Sequence, residues 1–364
     1  MASPHHGERP LAQPGSAMER IRRRAQELAE GRPNQLPLWP DSKRGAPNPM
    51  LRSALFGAIK RGKRRYLERE AIASYGGVEI IYTGARLDQS DFDVFAGALH
   101  LAREQPLGDH VRFTERGFLR LIGRGGPDGH SIGKSDRDWL RKVLIRLKAT
   151  AVEIRNGPHV YVGSLIGDYF RDERTGHYVL IISPAMKALF GSSSYTWLDW
   201  RIRQALRGHP LAQWVHGFYA SHEQPFPIKL QTLHKLCGSA CGGGGLTVAA
   251  HRKALLGWRD DSLVPALQAV QATSREAGLT FSWTIDKAGL LQVNSARAGA
   301  RSGGRQLNKL MSRTAVDKSG GQNPTSAGDR VRRGGIEPST SGGLDLKLRG
   351  TESVHITRKA TATR

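Results

Sequence analysis

Residues 133–165, GKSDRDWLRKVLIRLKATAVEIRNGPHVYVGSL, decide the reading of the fold. Trp139, Val143, Leu144 and Leu147 recur at three- and four-residue steps, which predicts an amphipathic helix over 135–147. Ser135 with Asp138 three residues on is a Ser-x-x-Asp helix-start signal, close to a capping box. The pattern then changes period. AVEIRN and HVYVG alternate, and Asn156-Gly157 between them is a hairpin signal. A third helix followed directly by a hairpin is how a winged-helix unit ends.

Upstream of this stretch lies the rest of such a unit. Phe92, Phe95, Leu99 and Ala102 place an amphipathic helix within 88–105, VEIIYTG (78–84) and VRFT (111–114) read as strands, and 115–121 reads as a short helix with Phe118, Leu119 and Ile122 facing in. Downstream, HYVLIIS (177–183) is a strand and a proline starts a helix at 184–190. The order then recurs. A long helix is predicted over 201–222, carrying Trp214, Val215, Phe218 and Tyr219. A short helix (229–237), a glycine loop, a helix with Leu263, Leu267 and Val270 (263–277), and a hairpin turning at 286–289 follow it. The expected class is therefore α+β, with tandem winged-helix domains flanked by disordered basic tails. The repeat is one of pattern, not of residue identity.

The 364 residues carry 55 Lys and Arg against 32 Asp and Glu, a formal charge of +23 that calls for a polyanionic partner. The excess is uneven: residues 1–65 and 294–364 each hold net +9, leaving +5 for the middle. Five segments follow: a disordered tail (1–34), a linker with short apolar islands and a basic run (35–65), winged-helix unit 1 (66–193), winged-helix unit 2 (194–293) and a disordered basic tail (294–364). A short helix around 17–30 and an internal start at Met18 fit the first tail. Two cysteines exclude a disulfide scaffold, and no apolar run is long enough to cross a membrane. With no apolar signal-peptide core at the N-terminus, a cytoplasmic location is the expectation.

Lys134, Arg137, Arg141, Lys142, Arg146 and Lys148 give the 135–147 helix a basic side, and Ser135 lies in its first turn. Arg137, Arg141 and Lys148 share a face opposite Trp139, Val143 and Leu147, as suits a helix docked in a major groove. In the second unit Arg252, Lys253 and Arg259 are the counterparts, with 246–256 as a short helix of its own before the reading helix. Gly133-Lys134-Ser135 imitates the end of a phosphate-binding loop, but Asp128 stands where its first glycine is required. His234, Cys237, Cys241 and His251 are zinc-type ligands without a zinc spacing, and no metal or cofactor site is assigned. Asp88, Asp91 and Asp93 read as helix-start acids complementing the macrodipole. No catalytic set is visible, so the expectation is a binding protein, not an enzyme.

LPLWPDSKRGAPNPMLRSALF, VEIIYTGARLDQSDFDVF, LIRLKATAVEI and FYASHEQPFPIKLQTLHKLCGS, in that order across about 36–293, resemble the TrfA family of plasmid replication initiators. The resemblance implies two winged-helix units that bind iteron repeats in duplex DNA at a plasmid origin. It implies recruitment of host replication proteins (the initiator DnaA, the replicative helicase and the sliding clamp), no enzymatic activity, and a monomer–dimer equilibrium. The alternative is a tandem winged-helix transcriptional regulator or partition-type DNA-binding protein. The stretch CGGGGLTVAAHRKALLGWRDDSLVPALQ departs from the family as an insertion and blurs the start of the second reading helix. Two apolar islands resemble clamp-binding peptides: Gln35, Leu36, Leu38 and Trp39 in QLPLW, and Leu55 and Phe56 in RSALF.

Overall fold

The computed structural model describes residues 34–59, 62, 64–125, 131–157, 159–191, 194–239 and 247–295. Residues 1–33 and 296–364 of the two tails, with them the 17–30 helix and Met18, and Cys241 lie outside the described residues, while Asn294 and Ser295, expected in the tail, belong to the last strand. The chain opens on β1 (Lys43–Pro47), the one-turn α1 (Asn48–Leu51) and β2 (Phe56–Gly57). Next come β3 (Tyr66–Ala71), β4 (Glu79–Ala85), β5 (Leu87–Asp88) and α2 (Gln89–Ala102). β6 (His110–Thr114), α3 (Glu115–Leu121), α4 (Lys134–Lys148) and the hairpin β7 (Ala151–Asn156) and β8 (His159–Gly163) follow. β9 (Tyr169–Arg171), β10 (His177–Ile181) and a 3₁₀ turn (Pro184–Leu189) lead to β11 (Tyr195–Asp199). The second half runs through α5 (Trp200–Ala205), α6 (Pro210–Ala220), β12 (Ile228–Lys229), α7 (Leu230–Leu236) and α8 (Val248–Trp258). A π turn (Arg259–Leu263) joins α8 to α9 (Val264–Glu276), and the hairpin β13 (Phe281–Ile285) and β14 (Leu290–Ser295) closes it.

The chain is a mixture of helix and strand, and the order helix, strand, helix, helix, hairpin occurs twice. The two occurrences differ in sheet. In the second half the hairpin and the strand before α7 form one three-stranded sheet, β12-β14-β13. In the first half the hairpin joins an earlier pair as β3-β4-β7-β8, while β6 belongs to β6-β10-β9. The hairpin register pairs Asn156 with His159, so its loop lies one residue beyond the expected Asn156-Gly157.

α2 is the centre of the first half. It is buried on every side except at Ser90 and Leu101, as a helix wrapped by its own domain must be. Asp88 caps it, accepting from the amides of Ser90 (2.8 Å) and Asp91 (2.9 Å), and Asp91 accepts in return from the amide of Asp88 at 3.0 Å. Asp88 and Asp91 therefore both act as the expected helix-start acids, and Asp93 does not. Asp91 and Asp93 are buried counter-ions, Asp91 for Arg146 and Arg64, Asp93 for Arg203.

The segment expected as a linker is part of this core. Leu36, Trp39, Leu55 and Phe56 are all at most 3% exposed. The Phe56 ring lies 5.2 Å from that of Phe92 and 5.7 Å from that of Phe95 on α2. Trp39 donates its indole N–H to His100 Nδ1 at 3.0 Å, and its ring covers Gly45 so closely that a Cβ there would sit 2.5 Å from it. Gln35 is buried, donating to the carbonyl of Arg103, and Leu38 is half-buried. Both clamp-peptide readings are corrected accordingly: an apolar pair that fills a core groove is not presented to a partner. β1 pairs with β11, antiparallel from Lys43↔Asp199 to Pro47↔Tyr195, so the start of the described chain clasps the entry to the second half.

The 201–222 helix is broken. Gly208 takes a left-handed φ of +89°, and Pro210, which has no N–H to give a helix interior, starts α6 instead. The break lets Arg203, 1% exposed, reach back into the first half. It binds Asp93 at 2.6 Å and the carbonyl of Gln89 at 3.0 Å, and it lies 4.4 Å over the Phe92 ring. The halves thus share a buried ion pair, and the described residues on both sides of the boundary expected at 193/194 belong to one compact unit.

Candidate nucleic-acid interface

α4 is one residue longer at each end than its apolar spacing predicted. Its cap is Gly133, whose amide donates to Asp136 at 3.2 Å; Ser135 lies exposed in the first turn and takes no part. Leu140, Val143, Leu144 and Leu147 are buried, and Trp139 packs against the same core with the Arg124 guanidinium 3.4 Å over its ring.

The predicted cations divide into three groups. Lys134, Arg137 and Lys142 are exposed. Arg141 and Lys148 also point outward but are held: Arg141 Nε by Glu115 at 3.1 Å and Nη1 by Asp138 at 3.0 Å, Lys148 by Asp168 at 2.6 Å. Glu115 is buried and also accepts from the Tyr178 hydroxyl at 3.0 Å. Its hydrogen bond to Arg141 raises the Arg141 pKa further above its ordinary value. Arg146 faces the interior. Its Nη2 lies 2.6 Å from Asp91, which Arg64 meets at 3.0 Å from the other side. Burial and the neighbouring Asp88 push the Asp91 pKa up, and the two guanidinium groups pull it back. Arg146 is thus a bolt between α4 and α2 and does not face a groove. Asp91, Arg64 and Glu115 were missed as site residues because their partners lie 55, 27 and 26 positions away in sequence.

The second-half residues lie on a different kind of element. α8 begins at Val248, two residues after the expected start, and runs through the π turn into α9 without interruption. Thr247 caps it, accepting from the Ala250 amide at 3.2 Å. Trp258 is its one buried residue, edge-on to His234 at 4.6 Å between ring centroids. His251, Arg252 and Lys253 are exposed together on it. Arg259 lies in the π turn and is paired with Asp260 through two contacts, 2.7 and 2.9 Å. Cys237 is buried and donates to the carbonyl of His234 at 3.3 Å; burial raises its pKa. Among the described residues no three His, Cys, Asp or Glu side chains converge as metal ligands, and no helix is long and apolar enough to cross a membrane.

These features define a class: a strongly basic α+β protein that presents a cationic helix beside a hairpin in one half and a second cationic helix in the other. Residues 23–245 match the family described as TrfA protein, and the chain belongs to that family. It is 31% identical over 209 residues to the plasmid replication initiator protein TrfA of Escherichia coli, covering 55% of this chain and 53% of that one. The chain therefore spans about half the length of this curated relative. Among solved structures, domains 2 and 3 of RctB superpose with a TM-score of 0.40 at 13% identity, over 65% of this chain and 93% of that one. The Pi initiator protein in complex with iteron DNA superposes with a TM-score of 0.41 at 11% identity, over 57% and 91%.

Proposed function

We propose that this protein is a plasmid replication initiator: a non-enzymatic, cytoplasmic protein that binds iteron repeats in duplex DNA through two winged-helix modules and brings host replication proteins to the origin. The observation that carries this reading is membership of the TrfA family over residues 23–245. The repeated order of helices and hairpin, the +23 charge and the outward cations of α4 agree with it. In this reading α4 lies in a major groove, Lys134, Arg137 and Lys142 meet phosphates, and hairpin β7–β8 flanks the groove. Contacts to DnaA and the helicase would use other surfaces. A clamp contact would need one too, since the apolar islands at 35–39 and 55–56 are buried.

The test is origin-dependent maintenance. A marker replicon carrying the direct repeats beside the encoding gene should be maintained when the full chain is supplied, and lost when it is not. The combined change Arg137→Ala, Arg141→Ala, Lys142→Ala should abolish maintenance and repeat binding in a gel shift at fixed salt. Repeat binding without maintenance would instead make the protein a transcriptional regulator or partition-type protein.

A further inference from the structure

The outward line of α4 carries more than charge. Lys134, Asp138, Arg141, Ile145 and Lys148 follow one another at three- and four-residue steps, opposite the buried Leu140, Val143, Leu144 and Leu147. Two of the five do not suit a face made only to hold phosphates. Asp138 places a carboxylate in the line, where a phosphate would be repelled. Ile145 is 57% exposed, the one large apolar side chain α4 leaves in solvent, at the centre of its cationic side. Helix stability gains nothing from a β-branched residue at an exposed position. Arg141, one turn before Ile145, is held by Glu115 and Asp138, and Glu115 is itself fixed by Tyr178. A guanidinium braced in this way has given up rotamer freedom before any ligand arrives.

We propose that α4 reads two base pairs directly: Arg141 a guanine through its N7 and O6 acceptors, and Ile145 the 5-methyl group of a thymine, with Glu115 and Tyr178 as positioning residues for Arg141. The major-groove edges of the bases supply both features, an acceptor pair on guanine and an apolar methyl on thymine. A phosphate backbone also supplies acceptors for a guanidinium but no apolar methyl, so Ile145 is what separates base reading from phosphate holding. Four residues of helix advance about 6 Å, close to two base-pair steps of about 3.4 Å. The preferred guanine and thymine therefore lie about two base pairs apart. This rests on the DNA-binding function proposed above and names the duplex feature that the first module selects.

The experiment uses the full chain and a duplex library with a randomised centre. The enriched duplex is resynthesised with uracil in place of thymine, or with a guanine analogue lacking N7. Removing one thymine methyl should weaken wild-type binding about fourfold, the value of one buried methyl group. Ile145→Ala should bind the thymine and uracil duplexes equally, Ile145→Val should keep the difference, and neither should move the melting temperature, since the side chain is exposed. Arg141→Ala should lose the preference for guanine over its analogue, and Tyr178→Phe should weaken that preference more than it weakens binding to random duplex. A thymine-over-uracil preference that survives Ile145→Ala, or an enriched duplex with none, overturns the inference. A library that yields no enriched sequence overturns the DNA-reading function beneath it.

Discussion

α4 and α8 carry the outward cations proposed to meet DNA, and the two helices are mounted in opposite ways. α4 buries four aliphatic residues and is tied to its surroundings by Arg146 on Asp91, Arg141 on Glu115 and Lys148 on Asp168. α8 buries one residue, Trp258, and leaves Val248 88% and Leu256 40% exposed. The charged pair in the π turn that follows it, Arg259 with Asp260, is local and at the surface. A helix set by packing and buried ions arrives at a ligand with its angle fixed. One anchored at its end and continued through a π turn, a device common at functional sites, has its angle set by few contacts. Under the proposed DNA-binding function, this contrast predicts discrimination by the first half and adhesion by the second.

The most severe way to break this contrast is through the brace beneath α2. Leu55→Ala with Phe56→Ala removes two core side chains, each worth about 2–5 kcal/mol. The pair should unfold the first half and take DNA binding with it, seen as loss of the cooperative melting transition. Leu256→Ala on α8 should stay within about 0.5 kcal/mol. Retained stability in the Leu55, Phe56 variant would return the segment to the status of a free peptide.

Next in size is the ion network. Asp91→Ala leaves Arg146 and Arg64 without their buried counter-charge and removes half of the α2 capping box. It should cost about 3–5 kcal/mol in denaturant unfolding. Asp260→Ala, the corresponding removal in the second half, touches an exposed pair and should leave the denaturant midpoint almost unmoved. Equal losses would mean that α8 is as firmly mounted as α4.

The sequence showed these two helices unequally well, for physical reasons. α2, α3, α4 and both hairpins were legible because local period and turn chemistry specify them: Phe92, Phe95 and Leu99 mark one face, and Asp286 and Gly289 mark one turn. β1 and β11 were not. KRGAP has no alternation, and its partner lies 156 residues away, where the Lys43–Asp199 pair closes the register. Leu55 and Phe56 carry no period at all, so nothing local separated a core plug from a docking peptide. The site divided in the same way. The cations of α4 were visible as a stripe, but whether each stood free in solvent or met a carboxylate depended on Asp91, Asp168 and Glu115, which come from elsewhere in the chain.

Each half also holds a buried neutral histidine. His216 on α6 is driven down to about 3 by burial first and then by Arg203, and His100 on α2 to about 3 by burial, Arg44 and Arg103. Both folded values lie below the ordinary histidine value of about 6.5. The unfolded chain therefore takes up a proton that the folded chain refuses, and stability is present above about pH 6.5 and lost as pH falls towards 3. For His216 the loss is about 1.4 kcal/mol per pH unit, so about 2 kcal/mol between pH 6.5 and 5. Denaturation midpoints of wild type and His216→Gln across that interval should converge as pH falls. Parallel curves would show that His216 is not held neutral.

The smallest effect separates adhesion from discrimination most cleanly. Arg252 and Lys253 are exposed on α8 and bind no carboxylate among the described residues, so replacing both by alanine should leave folding intact. If they meet phosphates, each accounts for about one unit of slope in the dependence of log affinity on log salt. The double variant should therefore show a slope shallower by about two, with repeat and random duplex weakened alike and their affinity ratio unchanged. Arg141→Ala should do the reverse: cost about 1–3 kcal/mol on the repeat, far less on random duplex, and collapse the ratio. Both measurements are titrations of the same two duplexes over a salt series, so their errors are shared. A ratio that falls for Arg252→Ala, Lys253→Ala as it does for Arg141→Ala would make α8 a reader in its own right, and would show that a helix with one buried residue acquires its fixed angle from the DNA.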